Sequence, residues 1–166
     1  MKVLNRVIAS LFLMTSLAVV AGAPGDDPLN ADYKTTRKVK DDFSFVVDSI
    51  KEAIGDRGIK INGVNHIGKM LHRTAAAVGA SKDIFKYGQA YNFCSSTLSR
   101  ATMEADPHNI VFCPYIISVY ELANEKGSVY VTYRRPNIIG SDASKKSLRD
   151  VEKLIDSIAQ EALSWF

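Results

Sequence analysis

The chain has 166 residues, with 21 lysines and arginines against 18 aspartates and glutamates, and a formal net charge of +3. Two of the basic residues, Lys2 and Arg6, lie in a predicted N-terminal leader, so the mature chain has 19 basic and 18 acidic side chains and a charge of +1. This near-neutral mixture argues against a nucleic-acid-binding protein, which concentrates basic residues on one face. The length fits a single domain.

Residues 1–21 have the features of a signal peptide. A short basic region precedes an apolar run from Val7 to Val20, and Ala21 offers a small residue for cleavage. The run is about 14 residues, whereas a membrane-spanning helix needs about 20. We therefore predict export, a periplasmic or secreted location, and no membrane span after cleavage.

After cleavage the chain is predicted to contain a flexible leader, residues 22–32, and a single α+β domain, residues 33–166. A first strand is predicted over Tyr33 to Val39. Apolar residues spaced three and four apart predict a helix from Phe43 to Ile54, and alternation predicts a second strand from Ile59 to Val64.

The next stretch, residues 66–88, is predicted to be an inserted helical segment. One helix is expected over residues 66–78, where apolar side chains fall on one side. Residues 81–88 are ambiguous and could form another short helix. Residues 89–93 predict a strand that leads directly into Cys94.

Ser95 or Ser96 can cap a following helix that ends at Asp106 and Pro107. A strand from Phe112 to Leu122 and a second strand around Val129 to Tyr133 predict a β-hairpin. A C-terminal helix is predicted over residues 142–165. Together these elements predict a two-layer α+β sandwich with a mainly antiparallel sheet. The helix after Cys94 is expected to bury Leu98, Ala101 and Ala105.

Residues 42 to 136 resemble the domain of unknown function 302 family of small bacterial and archaeal α+β proteins. The resemblance lies in IKEAIGDRGIKI, YNFCSSTLSRATMEADP, FCPYIISVYEL and SVYVTYRRP. Many relatives have a cysteine at the position of Cys94 and another close to Cys113. The resemblance implies the α+β fold, a homodimer, and a ligand- or redox-linked role. The inserted segment and the C-terminal helix depart from the family pattern.

Cys94 and Cys113 are the two cysteines of the chain. Cys94 precedes a predicted helix, whose first N–H groups favour a thiolate. His108 lies at the far end of that helix, about 18 Å away, and is a poor partner for a Cys–His site. The chain has no G-x-S-x-G, phosphate loop, H-E-x-x-H or C-x-x-C motif.

A disulfide between Cys94 and Cys113 is an open alternative. If the flanking strands are parallel and joined by a crossover helix, the cysteines lie at opposite ends of the sheet, beyond the reach of about 7 Å between Cα atoms. Residues 107–112 could instead return towards Cys94. On the parallel geometry we expect two titratable thiols.

His66 and Met70 share one face of the inserted helix and are candidate metal ligands. Imidazole with thioether suits copper(I) or haem iron, although one short helix cannot supply both axial haem ligands. Near the hairpin, Tyr115 and Arg135 are candidate ligand-binding residues for an anion. The explanation that the sequence favours is ordinary sheet composition, and the alternative is that the hairpin tyrosines form the rim of a pocket for an anion.

The sequence thus leads to three hypotheses about function. The first is an exported, homodimeric binding or carrier protein with a small redox-active ligand, haem or a copper ion, near Cys94 or the inserted helix. Its ligand-binding candidates also include Cys113 and His108. The second hypothesis is a thiol-dependent redox enzyme that uses Cys94. The third is an accessory structural protein without a ligand.

Overall fold

In the computed structural model, which describes residues 29–166, the chain forms five strands and four α-helices. The predicted signal peptide and residues 22–28 of the predicted leader lie outside the described residues. The strands and helices are, in chain order, β1 Lys34–Lys40, α1 Phe43–Gly55, β2 Ile61–Asn65, α2 Ile67–Thr74, β3 Phe85–Phe93, α3 Ser96–Ala105, β4 Tyr115–Leu122, β5 Ser128–Arg134 and α4 Asp142–Ala162.

The sheet is antiparallel throughout and has the strand order β1-β5-β4-β3-β2. Helix α1 connects β1 to β2, which are the two edge strands. The β4–β5 hairpin predicted from the sequence lies in the centre, in a register that pairs Val119 with Val131. The predicted α+β sandwich with a mainly antiparallel sheet is therefore confirmed.

One face of the sheet, the helix face, is covered by α1, α3 and α4, which form the second layer of the sandwich. Both α1 and α3 pack on α4. Alternate residues of the central strands point into this layer because successive strand side chains project to opposite faces. The fully buried residues of this core include Ile50, Ile54, Tyr91, Phe93, Ile117, Val119, Val131 and Ile158.

The other face of the sheet is contacted by α2. A Cβ atom added to Gly68 would lie 2.8 Å from the backbone nitrogen of Gly88, so the helix and β3 approach each other through two glycines. No residue of α2 belongs to the core cluster of the helix face. The predicted inserted helix is thus present and lies apart from the main core.

Three local predictions were wrong. Residues Phe85–Gly88 belong to β3 rather than to a short helix. In α3, Thr102 is buried and Ala101 is exposed, because Leu98, Thr102 and Ala105 share the inward face. Trp165 lies beyond the end of α4, and 67% of its surface is exposed.

Residues 29–32, the end of the predicted flexible leader, are attached to β1. The side-chain oxygen of Asn30 accepts a hydrogen bond from the Thr36 amide at 2.7 Å, and Ala31 forms a β-bridge with Lys34. Among residues 29–166, no helix combines the length and apolar character that crossing a membrane requires.

Candidate functional site

The two cysteines meet at one end of the β3–β4 pair. These strands are antiparallel, and Phe93 at the end of β3 pairs with Tyr115 at the start of β4. Cys94 directly follows Phe93, and Cys113 lies two residues before Tyr115. The parallel arrangement considered from the sequence is therefore wrong, and with it the geometric argument against a disulfide.

The connection between the strands travels out along α3 and returns through a short 3-10 helix, Pro107–Phe112. Asn109 fastens this return segment: its amide nitrogen donates to the Thr102 carbonyl at 3.1 Å and to the Ser144 hydroxyl at 2.7 Å. Asn109 is itself buried. These bonds attach the segment to α3 and α4, and so bring Cys113 back to the end of the sheet from which the chain left.

Cys94, Cys113, Ser99 and Tyr115 form one cluster, which we call the thiol site. The Ser99 hydroxyl lies 3.5 Å from the Cys113 sulfur and 3.2 Å from the Tyr115 hydroxyl. The Cys94 thiol interacts with the Cys113 thiol, the Ser99 hydroxyl and the backbone N–H of Tyr115. Both cysteines are free thiols and are partly buried.

Burial raises the pKa of the Cys94 thiol, and the neighbouring Cys113 raises it further. The backbone N–H of Tyr115 and the Ser99 hydroxyl act in the opposite direction, because they donate hydrogen bonds that stabilise a thiolate. Burial also raises the pKa of Tyr115 to about 12. At neutral pH the Cys94 thiol and the Tyr115 hydroxyl are therefore held in their protonated forms.

The start of α3 adds a favourable field for negative charge. Ser95 is the N-cap of this helix, and its hydroxyl accepts a hydrogen bond from the Leu98 amide at 3.3 Å. Cys94 immediately precedes the cap, so its sulfur lies near the positive end of the helix dipole, as predicted. The field favours the thiolate form of Cys94, but the pKa of this thiol is still raised, with burial as the main cause.

The thiol site is anchored in the main core. Phe93 and Tyr115 pack edge to face with ring centroids 5.9 Å apart, and Phe93 is fully buried. Cys113 packs against the same core cluster. The site is thus preorganised by the sheet, and both of its cysteines are partly exposed.

Ser99 is a functional candidate that sequence reasoning missed. It lies four residues after the N-cap Ser95, so both side chains occupy the same side of α3. This spacing becomes informative only if β3 and β4 are antiparallel, because only then does Cys113 reach that side of the helix. The sequence therefore contained a weak signal that depended on the strand direction.

The predicted metal ligands His66 and Met70 are not brought to the thiol site. His66 follows Asn65, which pairs with Ala90, and Ala90 lies four residues before Cys94 along β3. That separation corresponds to about 14 Å along an extended strand. His66 is exposed, as is 42% of Met70.

The remaining predicted site residues are also placed elsewhere. His108 is exposed in the return segment, and its backbone amide donates to the Asp106 side chain at 2.9 Å. Arg135 forms an ion pair with Glu152 of α4, which raises the pKa of the guanidinium. Its charge is therefore already compensated within the chain, which weakens its role as an anion ligand.

The hairpin tyrosines do not form one rim. Tyr120 and Tyr130 stack on each other with centroids 5.0 Å apart, on the face opposite to the helix face. Tyr115 lies in the thiol site, and the Tyr133 hydroxyl donates to Asp156 at 2.7 Å on the helix side. Tyr115 is thus the hairpin tyrosine that remains a site candidate.

Across the described residues, no three His, Cys, Asp or Glu side chains are grouped closely enough to hold a metal ion. A metal at the thiol site would have to be one that two sulfur ligands can hold. Zinc sites, in contrast, use at least three protein ligands.

These features define a small two-layer α+β protein with a pair of cysteine thiols at the end of its central strands. A family model described as "Domain of unknown function DUF302" matches residues 35–162, and the chain belongs to this family. The predicted family resemblance is confirmed, and the match includes α2 and all of α4.

A solved structure supports the same fold. The crystal structure of an uncharacterized conserved DUF302 protein from Bacillus stearothermophilus is 15% identical and superposes with a TM-score of 0.66, covering 80% of this chain and 99% of that one. At this identity the likeness concerns the fold alone. No curated protein matches the chain.

Proposed function

We propose that this protein is an exported thiol-dependent redox protein whose working group is the Cys94–Cys113 pair. In this proposal the pair cycles between a dithiol and an intrachain disulfide by exchange with an external disulfide. The observation that carries the proposal is the antiparallel pairing of β3 and β4, which brings two cysteines 19 positions apart in sequence to the same end of the sheet. Of the hypotheses drawn from the sequence, the geometry favours the second, with Cys113 added to Cys94.

The chemistry balances as two consecutive exchanges. One thiolate of the pair attacks the external disulfide, forms a mixed disulfide and releases one thiol. The second cysteine then attacks the mixed disulfide, forms the Cys94–Cys113 bond and releases the other thiol. In total the pair loses two electrons and two protons, and the external disulfide becomes two thiols.

The surroundings of the pair suit such exchange. Each step passes through a thiolate, and the Tyr115 amide and the Ser99 hydroxyl are the donors available to stabilise it. The raised pKa of Cys94 makes this thiolate scarce at neutral pH, so we expect slow exchange with small disulfides. Partial exposure allows a partner disulfide to approach in line with the pair.

Export is part of the proposal because residues 1–21 predict it, and an oxidising compartment supplies external disulfides. A homodimer is proposed as well. The edge strand β2 has the sequence INGVN without a charged side chain, whereas the other edge strand, β1, contains three lysines and an arginine. Charged residues protect sheet edges, so β2 is the edge better suited to pairing with a second copy.

The haem hypothesis gains less support. Of its predicted ligands, His66 lies about 14 Å or more from Cys94 along β3. Both His66 and Met70 are exposed. A haem bound through either residue would therefore be remote from the thiol site. The carrier hypothesis is better served by a ligand that the two sulfurs themselves can hold.

The test is to equilibrate the reduced protein with glutathione mixtures of increasing oxidised fraction and to count alkylated thiols by mass spectrometry. We expect two labelled cysteines at the reducing end, none at the oxidising end, and a monomeric intrachain bond. Cys94→Ser and Cys113→Ser should each form only a mixed disulfide with glutathione. His108→Ala, at an exposed residue of the return segment outside the thiol site, is the control and should retain the internal bond.

Two outcomes would contradict the proposal. One is a folded protein that retains both thiols in every glutathione mixture. The other is a bond that no glutathione mixture reduces, since that would be a purely structural disulfide. Size-exclusion chromatography with light scattering tests the dimer separately.

A further inference from the structure

We propose that the reduced thiol site binds one copper(I) ion between the sulfurs of Cys94 and Cys113. The inference rests on the thiol pair of the proposed function but does not require the disulfide cycle. It assigns the metal to two cysteines that the sequence offered only as general ligand-binding candidates, whereas the named metal candidates were His66 and Met70.

The positions of the two sulfurs carry the argument. They come from chain segments on either side of α3, and strand pairing together with the Asn109 hydrogen bonds brings both cysteines to the same end of the sheet, where the Cys113 sulfur lies 3.5 Å from the Ser99 hydroxyl. Binding therefore needs no rearrangement of the backbone, and the site is preorganised. A preorganised site avoids the ordering cost that a flexible pair of cysteines would have to overcome.

The choice of metal follows from the ligand set. Thiolates are soft ligands and favour copper(I) over harder divalent ions. Copper(I) is a d10 ion that forms stable complexes with a pair of thiolates alone. The described residues offer no third His, Cys, Asp or Glu ligand near the pair, so zinc, which needs more protein ligands, is disfavoured.

The charge of the loaded site is also accommodated. Binding releases two protons and leaves two thiolates with one monovalent cation, a net charge of −1. The Tyr115 amide and the Ser99 hydroxyl can donate to the sulfurs, and the N-terminal end of α3 lies beside Cys94. A cation between the sulfurs also removes the mutual repulsion that disfavours two adjacent thiolates in the empty site.

The partial exposure of both cysteines indicates a carrier rather than a store. An incoming thiolate or thioether ligand can reach the metal from the solvent side and displace one sulfur at a time. Such ligand exchange transfers copper(I) without releasing it into solution. This is a function of the carrier class, with the ion as cargo.

The test is an anaerobic competition between the fully reduced protein and a chromophoric copper(I) chelator. We expect the protein to withdraw a single equivalent of copper from the chelator, and X-ray absorption to show sulfur ligands only. Cys94→Ser and Cys113→Ser should each abolish this withdrawal, and zinc should not compete. His66→Ala/Met70→Ala, the matched control, should bind copper(I) as the unmodified protein does.

Several results would overturn the inference. One is a reduced, unmodified protein that withdraws no copper from the chelator. This result does not depend on whether any variant folds. Equal copper binding by Cys113→Ser, or loss of binding only in His66→Ala/Met70→Ala, would place the metal elsewhere. Circular dichroism of each variant verifies the fold.

The outcomes for the two proposals are separable. A protein that forms and breaks its internal disulfide but binds no copper(I) supports the redox function and removes the metal site. A protein that binds copper(I) but retains its thiols in oxidised glutathione supports the metal site and removes the redox function.

Discussion

The thiol site and the His66–Met70 pair are both candidate metal ligands, but they differ in how much the core of the protein supports them. The two cysteines are joined by strand pairing and by a fastened return segment, and they rest on the main core. His66 and Met70 were paired by helical spacing alone; His66 is the N-cap of α2, just outside the helix, and Met70 is exposed on a helix that touches the sheet through glycines. Proximity in sequence therefore gave a residue pair without core support, and long-range packing gave the pair that rests on the core.

The largest expected effect comes from removing the aromatic support of the thiol site. Phe93→Ala empties a fully buried position next to Tyr115, and cavity formation should lower the free energy of unfolding by about 3–5 kcal/mol. Denaturant unfolding measures this change. Phe45→Ala, at a side chain that is 59% exposed, is the control and should change stability by less than about 0.5 kcal/mol. Equal losses of stability in Phe93→Ala and Phe45→Ala would mean that the core packing of Phe93 does not support the thiol site.

The next effect concerns the return segment. Asn109→Ala leaves the Thr102 carbonyl and the Ser144 hydroxyl without this donor, which should lower the free energy of unfolding by about 1–3 kcal/mol. It should also weaken the internal disulfide relative to glutathione, because Cys113 is held less firmly. Thiol counting in glutathione mixtures measures the second effect.

His108→Ala, one residue away and exposed, is the control for this experiment. It should leave both stability and the disulfide equilibrium unchanged. If Asn109→Ala lowered stability while the disulfide equilibrium stayed constant, the return segment would not position Cys113.

The hydrogen bonds of Asn109 also explain why the sequence could not predict the direction of β4 relative to β3. The long apolar periodicity specified α4, and the alternation around Val129 to Tyr133 specified β5, because both patterns are local. A single helix between two strands fits a parallel crossover and an antiparallel return equally well. The choice depends on contacts of the return segment with α3 and α4, which lie far apart in sequence and leave no periodic signal.

The same reasoning accounts for the candidate site. Cys94 at a helix start was predictable, since Ser95 is a recognisable N-cap. Its partnership with Cys113 and Ser99 was not, because it follows from the direction of β4. His66 and Met70 were over-interpreted: helical spacing places two side chains on one face but does not say whether that face meets the core or solvent.

A smaller and more local effect is expected at α2. A Cβ at position 68 would lie 2.8 Å from the backbone nitrogen of Gly88, which cannot move aside as a side chain could. Gly68→Ala should therefore push α2 from the sheet at a cost of about 1–3 kcal/mol. Hydrogen exchange should accelerate in α2 and remain slow in α1.

Gly55→Ala is the matched control, because nothing lies within 4 Å of a Cβ at that position, the last residue of α1. It should leave exchange in α2 unchanged. We expect Gly68→Ala to retain the internal disulfide equilibrium of the unmodified protein. Loss of that equilibrium would show that α2 and the thiol site are coupled, against the comparison drawn above.

The smallest effect is predicted for the other candidate ligands. His66→Ala/Met70→Ala removes two exposed side chains, one at the N-cap of α2 and one within the helix, so the free energy of unfolding should change by less than about 0.5 kcal/mol. Neither the glutathione equilibrium nor copper(I) withdrawal should change. A loss of copper(I) binding with intact thiols would reverse the ranking of the two sites. It would mean that a ligand pair set by helical spacing alone, without support from the core, is sufficient to hold the metal.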